Sequence, residues 1–450
     1  MLGQDIEVKN VSITSAARRL LSSDFLQEPY WWTSAPPEDH SDGFPDSTDV
    51  LIVGSGVTGT SAAYHLARLG HQSDVIDANL IGSGAVRRNA GFLSRTLKKT
   101  FTTLAKSHGA GFADAAFKEV NHAFDFVTSL IQELGIDCAL EPSGRLVMAT
   151  SPAHLGKMIG TFDDLHRQFG TPYEVIPEAD IHREVGTSHY HGAVLIPGLT
   201  KFHPGLFHSG FVARARSAGA RFHAHTKLES LKQTGNGFMA HTTRGTIRAR
   251  RVLIATNGYN DTEMPWLKPR LAPFSGHMLA TEELSPQLLQ RLLPTNRGCT
   301  DSNTNLDYFH LAPGENRLLF GGRTGANPEN PLDMAWYLHR RMCRVFPELE
   351  DVRVSRLWSG KCAGTYDLMP HVGERNGLFF ASGYNFAGTP IGALFGKKVA
   401  DAVATGKAVD SIFATTRMPR FPLPVRRCGG VRIVMTYLDV KDWLIARGIL

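Results

Sequence analysis

The chain has 450 residues, of which 42% are hydrophobic, and this size predicts a folded protein of more than one domain. Its formal net charge of +6 is spread without a long basic block, so a mildly basic solvated surface is favoured over nucleic-acid binding. The five cysteines are scattered without a C-x-x-C pair, which argues against a disulfide framework or a zinc site and favours a reducing, cytoplasmic compartment. We find neither an apolar run long enough to span a membrane nor a secretory signal.

Residues 1–47 are predicted to form an N-terminal arm. Within it, residues 16–26 are interpreted as a short helix, and Trp31 and Trp32 as an anchor on the body of the protein. The proline-containing stretch 35–39 is typical of a linker into the first strand.

A strand–turn–helix pattern at residues 49–69 is the most informative stretch of the chain. An apolar, β-branched run at 50–53 indicates a buried parallel strand, and Gly54, Gly56 and Gly59 follow it with G-x-G-x-x-G spacing. The first glycine allows a tight turn, the second lets the backbone approach a pyrophosphate, and the third lets the helix pack closely on the strand.

A second short strand, at 73–76, ends at Asp77, which lies 18 residues after Gly59. A carboxylate at this place binds a ribose hydroxyl in dinucleotide-binding folds. The helix after the glycines is predicted at 60–69, and free N–H groups at its N-terminus would face the phosphates. A dinucleotide site is therefore predicted, with an unliganded tight turn as the alternative.

Three later stretches also have features of a ligand-binding site. Residues 83–91 are small, polar and rich in glycine, which allows backbone amides to approach a flat ligand, although a surface loop is the alternative. A buried strand at 251–255 runs into a glycine-containing turn at 256–258. Near the C-terminus, Thr389 as N-cap and Pro390 at the first helical position predict a helix start that could stabilise negative charge on a ligand, or an ordinary capped helix.

The remaining pattern alternates between helices and strands. Further helices are predicted at 112–134, 153–169, 206–218 and 391–404. Further strands are predicted at 145–149, 192–196, 221–225, 228–231, 278–281, 308–311 and 317–320.

These stretches, in this order, resemble the glycine oxidase and D-amino-acid oxidase superfamily of flavoproteins, and within it the amine oxidoreductases similar to gamma-glutamylputrescine oxidase. The resemblance spans roughly residues 45–450. The motifs that carry it are 54–59, 83–85, 88–91, 202–204, 306–309, 316–322, 358–360, 369–370, 383–384 and 421–424.

The resemblance implies an α/β fold, in which a Rossmann-type FAD-binding domain is combined with a discontinuous α+β substrate domain built on an antiparallel sheet. The arm and a C-terminal extension would flank the two domains. The FAD-binding domain is predicted at 48–140, 192–262 and 356–415, the substrate domain at 141–191 and 263–355, and the extension at 416–450.

The cofactor implied by the resemblance is FAD. The glycines would hold its pyrophosphate and Asp77 its ribose, residues 83–91 would lie against the isoalloxazine, and 227–228 with 256–258 would hold adenine and pyrophosphate. The 384–389 loop would face the flavin edge that becomes anionic on reduction. The residues implied to bind FAD are Gly54, Gly56, Val57, Thr58, Gly59, Asp77, Ala78, Ser83, Gly84, Ala85, Arg88, Asn89, Ala90, Gly91, Lys227, Leu228, Thr256, Asn257, Gly258, Gly383, Tyr384, Phe386, Ala387, Gly388 and Thr389.

Five positions bear on how far the family pattern carries over. Phe386 and Ala387 stand where the family often has a glycine and a histidine beside the flavin. Pro313 stands near the place of the arginine that binds the carboxylate of α-amino acids, and Leu319 near that of the lysine that activates oxygen in monomeric sarcosine oxidase. Cys362 falls near the flavin-linked cysteine of that enzyme, so a covalent link is an alternative to the favoured non-covalent FAD.

The predicted activity is oxidation of the C–N bond of a primary or secondary amine resembling gamma-glutamylputrescine. Hydride would pass to flavin N5, the imine would hydrolyse to an aldehyde, and O₂ would be reduced to H₂O₂. A dehydrogenase with a quinone or protein acceptor, or a catalytically altered flavin-binding subunit, is the alternative. No metal site is predicted. The candidate substrate-pocket residues are His203, His277, Tyr308, His310 and Arg323.

Overall fold

The structure is a computed structural model that describes residues 15, 17–259, 264–325 and 330–422. The start of the predicted arm, the end of the predicted C-terminal extension and Cys428 lie outside the described residues. The described strands are β1 (Leu21–Leu26), β2 (Ser47–Val53), β3 (Ser73–Ile76), β4 (Phe92–Leu93), β5 (Arg145–Met148), β6 (Glu174–Ile176), β7 (Ala193–Ile196), β8 (Thr200–Lys201), β9 (Arg221–His223), β10 (Leu228–Thr234), β11 (Gly237–Thr242), β12 (Gly245–Ile254), β13 (Ala272–Thr281), β14 (Gly298–Asp301), β15 (Tyr308–Leu311), β16 (Leu318–Gly325), β17 (Val354–Gly364), β18 (His371–Arg375) and β19 (Leu378–Ser382). The described α-helices are α1 (Val57–Arg68), α2 (Phe101–His108), α3 (Ala110–Glu133), α4 (Pro152–Phe169), α5 (Pro204–Ser217), α6 (Pro286–Leu292), α7 (Pro331–Val345) and α8 (Gly388–Thr405).

The first sheet has a parallel centre. Its strand order is β10-β11-β12-β2-β3-β9, with β19 paired to β12 and β18 paired to β19. Strand β2 is parallel to both of its neighbours, as the buried β-branched run predicts. Val50 and Ile52 face one apolar cluster, while Leu51 and Val53 face another, so apolar residues cover both sides of this strand.

Helices α1, α3, α5 and α8 contribute to the apolar cluster on one side of the first sheet. The contact between α1 and α8 is close because α8 presents glycines to it. A Cβ atom at Gly396 would lie 2.4 Å from the carbonyl oxygen of Thr58. This packing brings the N-termini of α1 and α8 to the same end of the sheet.

The second sheet has the order β1-β17-β13-β16-β15-β14-β5-β7-β6. Its neighbours are antiparallel, except that β1 pairs with β17 and β5 with β14 in parallel. Helices α6 and α7 pack against one face through a second large apolar cluster. The predicted combination of a Rossmann-type sheet with a discontinuous, mainly antiparallel sheet is confirmed.

The two sheets divide the chain near the predicted domain boundaries but not at them. Strands β7 and β17 belong to the second sheet, although 192–262 and 356–415 were assigned to the FAD-binding domain. We therefore propose that the substrate domain includes 193–196 and 354–364.

The predicted helix at 16–26 is wrong over its second half. Leu21–Leu26 is strand β1, which joins the edge of the second sheet beside β17. The tertiary pairing overrides a weak helical pattern here. Trp31 is fully buried and its Nε1 donates a hydrogen bond to the carbonyl oxygen of Asn89 at 2.8 Å, so this tryptophan does anchor the arm.

Candidate active site

A cavity of about 1800 Å³ lies between the two sheets. The carboxyl ends of three neighbouring parallel strands line it, at Val53, Ile76 and Ile254. Open α/β sheets bind their ligands outside the carboxyl ends of their strands. The opposite wall comes from the second sheet and includes Tyr308.

The glycine turn that enters α1 fits this cavity. Gly54 has φ of +105°, and a Cβ there would lie 2.9 Å from the carbonyl oxygen of Ala255. At Gly59 a Cβ would lie 2.0 Å from the carbonyl oxygen of Gly54. A Cβ at Gly56 would meet nothing within 4 Å, and Gly56 lines the cavity. Two of these glycines therefore serve the packing of the turn, and Gly56 presents bare backbone to the open space.

The carboxylate of Asp77 is held in a fixed position at the end of β3. Its Oδ2 accepts hydrogen bonds from the backbone N (3.1 Å) and Oγ (2.5 Å) of Ser55, and its Oδ1 accepts one from the N of Asn79 (3.0 Å). Burial raises the pKa of Asp77, and these hydrogen bonds oppose that shift. Asp77 and Ala78 both line the cavity, where a ribose hydroxyl would find an oriented acceptor.

Two helix N-termini open onto the cavity without a side-chain cap. The N-cap of α1 is Gly56, and neither it nor Ala387, the N-cap of α8, accepts a hydrogen bond through its side chain. Val57 and Thr58 line the cavity beside Gly388 and Thr389. Side chains cap α2, α4, α5, α6 and α7, while α3, which also lacks a side-chain cap, begins outside the cavity lining. Both open termini carry partial positive charge and can stabilise an anionic group.

The predicted N-cap of α8 at Thr389 is wrong by two residues. The helix begins at Gly388, after Ala387, so the expected side-chain cap is absent from this terminus. Thr58 instead fixes the approach to α8, because its Oγ1 lies 2.7 Å from the hydroxyl of the buried Tyr384.

The loop before α8 is tied down by polar contacts. Gly383 has φ of +79° and donates its N–H to Oδ1 of Asn257 at 2.9 Å. Asn385 bonds the backbone of Thr365 and Gly383 through its side chain. Asn385 and Phe386 both have positive φ, at 49° and 79°, which L-residues with large side chains rarely adopt. Glycine would suit the position of Phe386 better.

Residues 83–91 run along the cavity and contact strands β15 and β17 of the second sheet. Arg88 donates from Nε to the carbonyl oxygen of Ser83 (2.7 Å) and from Nη1 to that of Ser359 (3.1 Å), and its guanidinium lies 4.7 Å from the ring centroid of Trp32. Gly91 lies outside the cavity lining and packs on distant backbone, where a Cβ would lie 2.8 Å from the carbonyl oxygen of Phe202. The residues of this segment that do line it are Ser83, Gly84, Ala85, Val86, Arg88, Asn89 and Ala90.

The predicted contacts to adenine and pyrophosphate, at 227–228 and 256–258, are only partly open to a ligand. The backbone N–H of Lys227 donates to Oγ1 of Thr243, and its carbonyl oxygen accepts the N–H of Thr243, so the N–H of Lys227 is not available to a ligand. Leu228 lines the cavity. Thr256 and Asn257 also line the cavity, and the buried Oγ1 of Thr256 has no hydrogen-bond partner among the described residues. Gly258 instead packs on β17, since a Cβ there would lie 2.5 Å from the carbonyl oxygen of Cys362.

Of the five candidate pocket residues, the structure brings only Tyr308 to the cavity wall. Its ring lies over Gly321, where a Cβ would be 2.1 Å from the ring, and its hydroxyl donates to the carbonyl oxygen of His277 at 3.3 Å. Arg323 does not line the cavity, and its guanidinium lies 4.0 Å from the ring centroid of Tyr337. It cannot replace a missing substrate clamp from this position.

The three histidines are also outside the cavity lining. His203 caps α5, accepting the N–H of Leu206 at its Nδ1, and Nδ1 of His277 lies 2.7 Å from Oγ of Ser359. His310 contacts the carbonyl oxygen of Ala90 through Nε2 at 2.9 Å. Burial lowers the pKa of each, to about 4 for His203 and His277 and to about 3 for His310, so they are neutral near pH 7. Their places indicate structural roles.

Known proteins share both the sequence pattern and the fold of this chain. The family model described as "DAO: FAD dependent oxidoreductase" matches residues 49–402. The chain belongs to this family. It is an FAD-dependent oxidoreductase acting on the CH–NH group of amines or amino acids.

Among its relatives, gamma-glutamylputrescine oxidoreductase of Escherichia coli K12 is 29% identical over 403 residues, covering 88% of this chain and 93% of that protein. The probable oxidoreductase OrdL of Rhizobium meliloti is 30% identical over 404 residues, covering 88% and 92%. The crystal structure of glycine oxidase from Geobacillus kaustophilus shares the fold, with a TM-score of 0.71 and 23% identity over 83% of this chain and 99% of that one. Within the described part of this flavoenzyme, none of the helices combines the length and apolarity that crossing a membrane requires.

The residues around the cavity fit FAD. Gly56 leaves open space beside the free N-terminus of α1, where a pyrophosphate would bind, and Asp77 is oriented beside it. The unpartnered Oγ1 of Thr256 supplies a further polar group in the same wall. The open N-terminus of α8 would lie against the flavin edge that gains negative charge on reduction.

Cys362 lines the cavity as a free thiol, and burial raises its pKa to about 12. The thiol is therefore protonated near neutral pH and poorly reactive. This favours non-covalent FAD as the proposal for this flavoenzyme.

Sequence reasoning missed several residues of the cavity wall, because no motif or spacing marks them. Trp32 belongs to the arm, and Phe274 on β13 packs on Phe386 with a centroid separation of 4.8 Å. Lys98 lies over Phe386, with 4.6 Å from Nζ to the ring centroid. Arg145 reaches the cavity from β5. These side chains make the second-sheet end of the cavity both aromatic and cationic.

Proposed function

We propose that this flavoenzyme oxidises the C–N bond of a primary or secondary amine resembling gamma-glutamylputrescine. FAD held at Gly56, Asp77 and the open N-termini of α1 and α8 would supply N5 as the acceptor for the hydride on the carbon next to the amine nitrogen, and O₂ would take up the two electrons as H₂O₂. The amine would become an imine, which water hydrolyses to an aldehyde and the released amine or ammonia. The residues of this chain bind and orient both molecules and exclude water from them.

One observation carries this proposal. Among the described residues that line the cavity, the only carboxylate is that of Asp77, at the glycine-turn end. The second-sheet end, beside Tyr308 and Phe274, therefore offers an ammonium ion no carboxylate, and burial there disfavours the charged form of an amine. A neutral amine has the free electron pair that helps a hydride to leave the neighbouring carbon.

The same wall weighs against free α-amino acids as preferred substrates. The family's carboxylate clamp has no equivalent at Pro313, and Arg323 stacks on Tyr337 outside the cavity. An α-carboxylate would therefore lack the arginine partner that the family clamp supplies at that place, and a buried charge without its hydrogen-bonded partner is costly.

Anaerobic mixing of the purified holoenzyme with single substrates tests the proposal. Gamma-glutamylputrescine should bleach the flavin absorbance, N-methylated amino acids should do so at most weakly, and D-alanine and glycine should not. Fast bleaching by D-alanine or glycine, without a response to amines that lack an α-carboxylate, would return the enzyme to the amino-acid oxidase type.

The electron acceptor needs a separate measurement. With gamma-glutamylputrescine in air, an oxygen electrode should record oxygen consumption with a matching yield of peroxide. Flavin that is reduced by the amine but reoxidised only by an added quinone would instead identify a dehydrogenase.

A further inference from the structure

Arg145 is a buried cation in the wall of the active-site cavity. The residue is 8% exposed, and its guanidinium lies 4.3 Å from the ring centroid of Phe92. Nη1 donates to Oγ of Ser94 at 2.6 Å and Nη2 to the carbonyl oxygen of Leu93 at 3.3 Å, while Nε has no hydrogen-bond partner among the described residues. These contacts fix the guanidinium but leave its charge uncompensated, since both acceptors are neutral.

Two neighbouring cationic side chains, unlike Arg145, are paired with carboxylates. Arg297 pairs with Glu184 at 2.8 Å and Lys201 with Glu141 at 3.2 Å. Within the described ranges, no carboxylate lies within 4.0 Å of the Arg145 guanidinium. Buried charges in proteins are ordinarily paired, so an unpaired arginine in a cavity wall indicates a binding site for an anion.

Within the wall formed by the second sheet, Arg145 lies far from the side chains that pack on the loop before α8. Phe274, which packs on Phe386 of that loop, is on β13, and Arg145 is on β5. Strands β16, β15 and β14 lie between them, so four inter-strand spacings, about 19 Å at ~4.8 Å each, separate β13 from β5. Tyr308, on β15, lies midway along this wall.

We infer that Arg145 binds a carboxylate at the far end of an elongated amine substrate, several carbon atoms from the C–N bond that is oxidised. This inference rests on the proposed amine oxidation and adds the position and charge of the substrate's second functional group. A guanidinium on a fixed strand suits a carboxylate because its N–H groups match both oxygens.

A matched pair of amines tests the inference. Gamma-glutamylputrescine and N-acetylputrescine share the aminobutyl amide, and only the first carries a carboxylate. In anaerobic flavin reduction, the Arg145→Met and Arg145→Gln variants should raise the apparent Kd for gamma-glutamylputrescine by about 10- to 100-fold, as expected when a charged hydrogen bond is lost. The response to N-acetylputrescine should stay near that of the wild type, and Arg145→Lys should recover part of the difference.

Arg95→Gln is the control, because Arg95 lines the same cavity but already pairs with Asp125 at 2.7 Å. It should leave the preference between the two amines unchanged. A second comparison is Lys98→Gln, which removes another cavity cation. Loss of the carboxylate preference in Lys98→Gln but not in the Arg145 variants would overturn the assignment.

A binding measurement keeps the inference independent of turnover. N-acetyl-L-glutamine carries a carboxylate and no oxidisable amine, and calorimetry should show that it binds the wild-type holoenzyme and not Arg145→Gln. If neither amine reduces the flavin, the proposed function fails, while this measurement still decides the role of Arg145. Equal binding to both proteins, each with full flavin content, would overturn that role. Should Arg145→Met lose its flavin, Arg145→Gln serves alone, since glutamine can still bond Ser94.

Discussion

The two ends of the cavity are built from different parts of the protein chain. At the first-sheet end, the groups that face the ligand are mainly backbone, at Gly56 and at the open N-termini of α1 and α8, with one oriented carboxylate, Asp77. At the second-sheet end, they are side chains from separate strands, among them Phe274, Tyr308 and Arg145. The first end is suited to a cofactor of constant shape, and the second can change its substrate by changing single side chains.

Two glycine substitutions should separate cofactor binding from folding at the first end. A side chain at Gly56 meets open cavity, so Gly56→Val should give folded but colourless protein, because the valine occupies the place of the pyrophosphate. A Cβ at Gly59 would lie 2.0 Å from the carbonyl oxygen of Gly54, so Gly59→Ala should destabilise the fold itself by about 1–3 kcal/mol or more.

Flavin absorbance and thermal unfolding of the two variants check this expectation. Gly43→Val is the control, since a Cβ at Gly43 also meets nothing within 4 Å but the residue lies outside the cavity lining. This variant should stay yellow. A yellow Gly56→Val protein would contradict the placement of the pyrophosphate.

The buried histidines should make the enzyme sensitive to acid without taking part in catalysis. The pKa of His277 is about 4 in the folded protein against 6.5 for an ordinary histidine, so protonation favours the unfolded chain as pH falls from 6.5 to about 4. Its contribution is up to about 1.4 kcal/mol of lost stability per pH unit in this window. His203 has the same direction of shift.

Urea unfolding between pH 7 and pH 4.5 checks this dependence. The loss of stability with acid should be smaller in His277→Gln than in the wild type, and unchanged in His182→Gln, where the histidine is exposed. The rate of flavin reduction per bound flavin should persist in His277→Gln. A variant that keeps FAD but loses reduction would restore His277 as a candidate for the chemistry.

Phe386 offers the smallest and most local test. Its φ of 79° costs an L-residue about 1–2 kcal/mol, whereas glycine adopts it freely. Phe386→Gly should therefore be more stable than Phe386→Ala by about 1 kcal/mol, in urea unfolding at neutral pH. The order should reverse at Glu229, an exposed strand residue, where alanine is favoured over glycine. The same order of glycine and alanine stabilities at both positions would contradict backbone strain at Phe386.

The sequence predicts the first end well because its signal is local. The strand, the glycines and Asp77 all fall within about 30 residues, and their spacing alone indicates a dinucleotide-binding turn. Arg145 could not be found in this way, since its partners Phe92, Leu93 and Ser94 come from another part of the chain. Within the predicted strand at 145–149, the sequence does not distinguish Arg145 from an ordinary strand residue.

His203 shows a different kind of error. Its neighbour Pro204 is the first residue of α5, and this His-Pro pair is a helix start, with the histidine as cap. His310 lies on the same sheet face as Tyr308, but Trp31 and Phe92 pack against its ring and keep it out of the cavity lining, a long-range contact that the local sequence does not reveal. His277 is held by Ser359, also from a distant strand.

The edge strand β1 also has a consequence for biosynthesis. Its partner in the sheet, β17, begins at Val354, some 330 residues after β1 ends at Leu26. At 5–20 residues per second, a ribosome needs about 15–65 s to synthesise that interval. Throughout this time the N-terminal segment, with Trp31 and Trp32, has no sheet to join. The wall that the arm contributes to the active site is therefore among the last parts to close, after nearly the whole polypeptide has emerged.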